Sequence, residues 1–216
     1  MRTELVIGPA IEPVTLDEAK AQLRVNTTDD DDYITSLIAV AREDCEMYVG
    51  RAFLPQTWDF IIDTFPVWGG FANRWVRDQG AHSTVFFPGS VIVPIEIPRP
   101  PLISITSVQY INPNSGALVT LDPSLYKVAT GTPGRIAPVF GQTWPVPRFE
   151  MDAVQIRFVA GYASPSLLSA RAKQAIKLLL AHYYENREPV NVGNIVSEIP
   201  FGIQRLLAGE EWGSYK

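Results

Sequence analysis

Two sharply delimited helices occupy residues 13–50, and they constrain what the rest of the chain can build. Thr15 stands three residues before Glu18. Its hydroxyl can accept from the free amides of a first helical turn while the carboxylate reaches back to the Thr15 amide, a capping box that starts a short helix. Asp29, Asp30, Asp31 and Asp32 then place negative charge where a second helix begins, and Gly50 follows its last periodic residue as a stop. In this second helix Ile34, Leu37, Ile38, Ala41, Cys45 and Tyr48 recur at steps of three and four and draw one apolar stripe. Arg42, Glu43 and Glu46 fall mostly off it, on the face expected to be solvated.

After Gly50 the period changes. Trp58, Phe60 and Ile62 alternate with their neighbours, and residues 91–97, 103–111, 125–129 and 154–160 are strand-like. Prolines and glycines such as Pro98, Pro100, Pro101, Pro113, Gly116, Pro133 and Gly134 separate these runs, which predicts a compact antiparallel unit. Residues 67–88 have no clear period and are expected to form an extended loop. Helix returns at Pro165, after Ser164, and is predicted to run to about Asn186 with Leu168, Ala172, Ala175, Ile176, Leu179 and Tyr183 on one stripe. Leu167, Leu178, Leu180 and His182 add apolar surface outside that stripe, so this helix is expected to be buried on two sides. The last stretch is apolar but short and broken by glycine and proline, too little for a core of its own.

The fold class is therefore α+β. Residues 1–51 and 164–187 supply a helical body from N-terminal and C-terminal helices, 52–163 a β-rich antiparallel insertion, and 188–216 an extended C-terminal tail. A 46% hydrophobic and 19% charged composition is that of a globular protein. No apolar run reaches the length of a membrane span, and the first eight residues lack the apolar core of a signal peptide, so the chain is read as having no membrane partner and as cytoplasmic until assembled. The formal net charge of −5 argues against general affinity for nucleic acid. Residues 1–51 hold eleven acidic and five basic side chains, so the acidity sits in the N-terminal helices. The single cysteine falls on the apolar stripe and is read as a reduced core thiol.

The order of these elements carries a resemblance. It rests on Thr15-Leu-Asp-Glu-Ala-Lys20, Tyr48-Val-Gly-Arg-Ala-Phe-Leu-Pro-Gln-Thr-Trp58, Arg99-Pro-Pro-Leu102, Phe158-Val-Ala-Gly-Tyr162, His182-Tyr-Tyr-Glu-Asn-Arg-Glu188 and Glu198-Ile-Pro-Phe-Gly202. With these segments the chain resembles the head-tail connector (adaptor) proteins of long-tailed phages and of phage-derived gene transfer particles. The resemblance implies a non-enzymatic virion protein of the neck, present in the host cytoplasm before assembly. Its subunits would form a homo-oligomeric ring, expected as a dodecamer, beneath the portal protein. The ring would extend the channel through which genomic DNA passes without specific binding, and would join the vertex to the next neck protein, a stopper or tail-completion protein.

In that family the C-terminal segment docks on the portal, which makes Phe201, Ile203, Leu206, Leu207 and Trp212 the portal-contact candidates. Leu167, Leu178, Leu180 and His182 are candidates for packing between subunits, and Asp29, Asp30, Asp31 and Asp32 for an acidic surface facing the lumen or the next ring. Many identical tails on one ring would engage together and turn weak single contacts into a stable joint.

Catalytic and cofactor motifs are sparse. Two histidines, His82 and His182, stand without a Cys or His cluster at ligand spacing, and the aspartate row lacks the spaced carboxylates and central glycine of a calcium loop. No metal or other cofactor is expected. No nucleophile elbow, phosphate loop or dinucleotide fingerprint occurs. Two other classes remain open from the residues alone. A carbohydrate- or coat-binding module would use Trp68, Phe71, Trp75, Phe86 and Phe87 as an aromatic platform. A phage glycoside hydrolase would need two of Asp59, Asp63, Glu96, Glu150 and Asp152 to meet at the right separation with one carboxyl raised.

Overall fold

The computed structural model describes residues 1–66, 94–186 and 201–210. The chain is α+β and divides into two compact units.

The first unit gathers Met1–Val6, Thr57–Pro98 and Leu102–Val159. Its larger sheet has five strands in the order β1 (Arg2–Ile7), β2 (Gln56–Ile62), β8 (Val154–Ala160), β4 (Leu102–Ile111), β5 (Leu118–Thr120). A smaller sheet runs β3 (Ile95–Ile97), β7 (Gly134–Pro138), β6 (Tyr126–Ala129). The pairs β4–β5, β3–β7 and β6–β7 are antiparallel, with Tyr110 opposite Val119 and Ile136 opposite both Ile95 and Val128. Along β8 the alternation is strict: Val154, Ile156, Phe158 and Ala160 are buried and the residues between are half-exposed. That is the period of a strand with one face on a core. Beside it β2 is buried on both faces from Asp59 onward. Phe65 closes this core, its ring stacked on Trp144 at 4.8 Å and edge-on to Tyr110. The sequence offered no sign of β1, and the strand-like run at 91–97 contributes three residues as β3; positions 91–93 and the loop expected at 67–88 lie outside the described residues.

The second unit holds Ile7–Gln56, Arg99–Pro101 and the chain from Ala160 on. Its helices are α1 (Leu16–Leu23), α2 (Asp31–Val49), α3 (Ala170–Glu185) and α4 (Phe201–Leu207). The capping box of α1 is formed, Thr15 accepting from the Glu18 amide while Glu18 accepts from the Thr15 amide. Gly50 ends α2 in the left-handed conformation, φ +69°. The inner stripe of α2, Ile34, Leu37, Ile38, Ala41 and Cys45, packs in one cluster with Ala172, Ala175, Ile176, Leu179 and Leu180 of α3 and with Ile203 and Leu207 of α4. Two phenol hydroxyls tie α3 to α2, Tyr183 to Asp44 at 2.7 Å and Tyr184 to Asp30 at 2.6 Å.

Three details differ from the sequence reading. Tyr48 turns outward at the end of α2, and Val49, one step further round, takes the inward position. Helix α3 starts a turn later than Pro165: Pro165–Leu167 is a single 3-10 turn, and Ser169 caps the helix by accepting from the Ala172 amide. Most consequentially, Arg42 and Glu46 are not solvated. They are 3% and 5% exposed.

Candidate assembly surfaces

Burying Arg42 and Glu46 requires partners, because an unpaired internal charge is costly. Arg42 donates to Glu12 through Nε at 2.8 Å and to Glu46 through Nη1 at 2.8 Å. The other Glu46 oxygen, Oε1, accepts from the Phe53 amide at 2.6 Å and from the Gln56 side chain at 2.7 Å. Burial pushes the Glu46 carboxyl above its ordinary range, against these donors and Arg42. For Arg42, burial acts to lower the pKa, but Glu12 and Glu46 outweigh it and hold the guanidinium above its usual value. The one sequence signal for this pair was its spacing of four on a helix.

Glu46 sits under a stitched junction of three chain passages. The Arg99 guanidinium donates to the Glu46 carbonyl at 3.2 Å, Ala52 N–H to the Pro100 carbonyl at 3.3 Å, Gly161 N–H to the Pro101 carbonyl at 2.8 Å, and Tyr162 N–H to the Phe53 carbonyl at 3.3 Å. Gly161 has φ +123°, and a Cβ there would collide with the Leu54 carbonyl, so only glycine permits this approach. Three of the six segments that carry the resemblance therefore meet here. This junction ties together three passages of the helical unit.

Ile203 and Leu207, expected at a portal, are 3% and 0% exposed inside this chain's own helical core, and Leu206 is partly buried against it. Their apolar surface is already used: α4 lies against the groove made by the other helices, a docking site that the sequence of the tail alone could not reveal. Phe201 opens α4. Trp212 lies outside the described residues. Of the four residues expected between subunits, Leu180 is wholly buried in the same core and Leu178 partly. Leu167 is 60% exposed on the 3-10 turn. His182 is half-buried, its ring near Tyr183 and within 3.3 Å of the Asn186 amide.

The aspartate row is split in use. Asp31 pairs with Lys20 at 2.6 Å and Asp30 accepts from Tyr184, whereas Asp29 and Asp32 are exposed. Among the carboxylates weighed for hydrolysis, Asp59 is held by Arg157 through two bonds of 2.7 Å and by Gln155 at 2.7 Å. Arg157 keeps it below the ordinary carboxylate range, the opposite of what a general acid needs. Asp152 pairs with Arg2, its amide donates to Asp63 at 3.0 Å, and Glu150 pairs with Arg148 at 3.4 Å. Cys45 is fully buried, and its thiol is pushed up to about 12 chiefly by burial. Among the described residues no cluster of potential metal ligands occurs, and no helix is long and apolar enough to cross a membrane. His82 and the aromatic platform of Trp68, Phe71, Trp75, Phe86 and Phe87 lie outside the described residues.

Among the described residues, large apolar side chains reach solvent at several places. The β unit exposes Phe140, Val146, Phe149 and Met151, all at least 72%. On α2 the residues facing away from the core include Val40 at 45% and Met47 at 69%. Exposed groups of this size mark contact surfaces more often than scattered single residues do.

Residues 13–67, which span α1, α2 and the Glu46 junction as far as Gln56, match the family described as Phage gp6-like head-tail connector protein. Among solved structures, the chain is similar to one in the neck of an empty gene transfer agent particle computed with C6 symmetry, with TM-score 0.69 and 20% identity over 98% of this chain and 95% of that one. It is equally similar to a chain in the virion of a native gene transfer agent particle, TM-score 0.69 at 19% identity with the same coverage. A third, in the neck of a native particle computed with C12 symmetry, has TM-score 0.63 at 19% identity, again over 98% and 95%. No curated protein matches. The likeness to the head-tail connector family thus lies in sequence over residues 13–67, and the likeness in fold to chains of gene transfer agent particles extends over nearly the whole chain.

Proposed function

We propose, with the connector match of residues 13–67 as premise, that this protein is a structural head-tail connector in the neck of a phage or a gene-transfer-type particle. Subunits assemble as a homo-oligomeric ring beneath the portal protein, extend the channel for DNA, and offer a surface to the next neck protein. The observation that carries this reading is the agreement of two independent comparisons: a family match at the helical pair and a neck-protein fold across 98% of the chain. The sixfold and twelvefold symmetries of the similar necks support a ring, for which a dodecamer is the simplest count. The helical unit is the ring body, the β-rich unit offers a second surface, and the segment after 187 faces the portal. The protein works as geometry, with no catalytic step.

The burial of Ile203 and Leu207 divides the portal-facing segment into parts. In this reading α4 is the anchor that fastens the segment to its own subunit, and Leu206, Phe201 and Trp212 remain the portal-contact residues. Co-purification with the portal protein of the same particle tests the function. Full-length chain is expected to bind at a ring-saturating ratio. A chain ending at Glu210 keeps α4 but loses Trp212, and is expected to bind more weakly with unchanged circular dichroism. Absence of binding by the full chain overturns the portal assignment.

A further inference from the structure

We infer that copies of this chain contact one another head to tail, the outer strip of α2 on one subunit meeting the cationic flank of α3 on the next. The inference rests on the adaptor reading and names the two faces of its ring contact. Ser36, Val40, Glu43 and Met47 follow one another at steps of four, three and four, so they share one strip on the side of α2 away from the core. All four are exposed. Glu43 keeps 62% of its side chain in solvent although it pairs with Arg42 at 3.2 Å. Exposed Asp32 extends the strip toward the helix start. The strip is thus apolar and acidic.

The matching face is on the other helix pair. Lys173 and Lys177 stand one turn apart on one flank of α3, half-exposed, and the same unit also exposes Arg171 and Arg205. Among the described residues none of the four has an ion pair or hydrogen-bonded side chain, as is also true of Arg24, Lys127 and Arg135. Helices α1 and α2 carry seven acidic and two basic residues; α3 and α4 carry four basic and one acidic.

Within one subunit α2 and α3 already meet through their inner faces, so the outer strip of α2 turns away from the body that carries the lysines. Complementary charge on two different faces of one body favours a heterologous contact, which closes into a ring when the rotation per subunit divides the circle. A two-fold contact of the α2 strip with itself would set acid against acid, which is penalised.

Sedimentation of the full chain at up to millimolar concentration tests the pairing with two variants, Lys173→Glu/Lys177→Glu and Ser36→Lys/Glu43→Lys, circular dichroism checking that both fold. Each alone presents like charges on both faces and is expected to associate roughly tenfold more weakly than the parent. Their equimolar mixture is expected to recover association, because the altered α3 flank of one variant fits the altered α2 strip of the other, and their unaltered faces still fit each other. A parent that stays monomeric, a variant that associates like the parent, or a mixture that fails to recover overturns the inference. A chain that still binds the portal while ignoring these charges keeps the adaptor reading and loses this contact alone.

Discussion

The Glu46 carboxylate accepts the backbone N–H of Phe53 at 2.6 Å, so a side chain in the last turn of α2 holds the chain that leaves the helix. The same carboxylate pairs with Arg42 and Gln56. Replacing it removes four things at once: an ion pair, two accepted hydrogen bonds and the neutralisation of a buried guanidinium.

Glu46→Ala is therefore expected to cost about 3 to 5 kcal/mol, the range for breaking a buried ion pair from one side, measured by urea denaturation of the isolated chain. Replacing both partners, Arg42→Met with Glu46→Leu, is expected to cost less than Glu46→Ala. A loss below about 1 kcal/mol for the single change would mean that the junction does not hold the helical unit.

Gly161→Ala tests the same junction from its other side. The added Cβ meets the Leu54 carbonyl at a left-handed backbone position, so a loss of at least about 2 kcal/mol is expected from strain and clash together. Thermal unfolding checks it. Gly141, also at positive φ but with open space around its Cβ position, is the control and should lose less.

The tail helix makes a third prediction. With Leu207 fully buried among α2 and α3 residues, Leu207→Ala should destabilise the isolated chain by about 2 to 5 kcal/mol, while exposed Arg205→Ala should stay within about 0.5 kcal/mol. If Leu207→Ala instead leaves stability untouched and weakens only portal binding, α4 belongs to the partner and not to this core.

Two carboxylates give stability opposite dependences on pH. Asp59 has its pKa lowered by Arg157, so its stabilisation is present above the unfolded carboxylate range and is lost as pH falls through the depressed folded value. Glu46 has its pKa raised by burial, so its ionised form opposes folding, and stability gained from it grows as pH falls from the folded value to the unfolded one. In acid titrations of the melting temperature, Asp59→Asn should flatten the most acidic limb.

How much of this was legible beforehand follows from where each signal lies. Thr15 and Glu18 make a contact three residues apart, and Gly50 answers to its own backbone, so both ends of the helical pair could be read directly. The strict alternation of Val154, Ile156 and Phe158 marked β8 for the same reason. Arg42 and Glu46 could not be read, because what buries them comes from Glu12, Phe53 and Gln56 by way of the fold. Leu118–Thr120 and Gly134–Pro138 are too short for a period to declare itself. Ile203 and Leu207 had the right spacing for an anchor, but spacing does not say whose groove receives it.

The covering of α2 by α3 also sets an order in time. The stripe of Ile34, Leu37, Ile38, Ala41 and Cys45 is complete when the ribosome has passed Val49, yet the helix that shields it begins only at Ala170. At usual elongation rates that interval is on the order of ten seconds. During it the nascent N-terminal pair carries an unshielded oily flank, so newly made chains should be chaperone clients until synthesis nears its end, and expression should respond to chaperone supply more steeply than the stability of the finished protein implies.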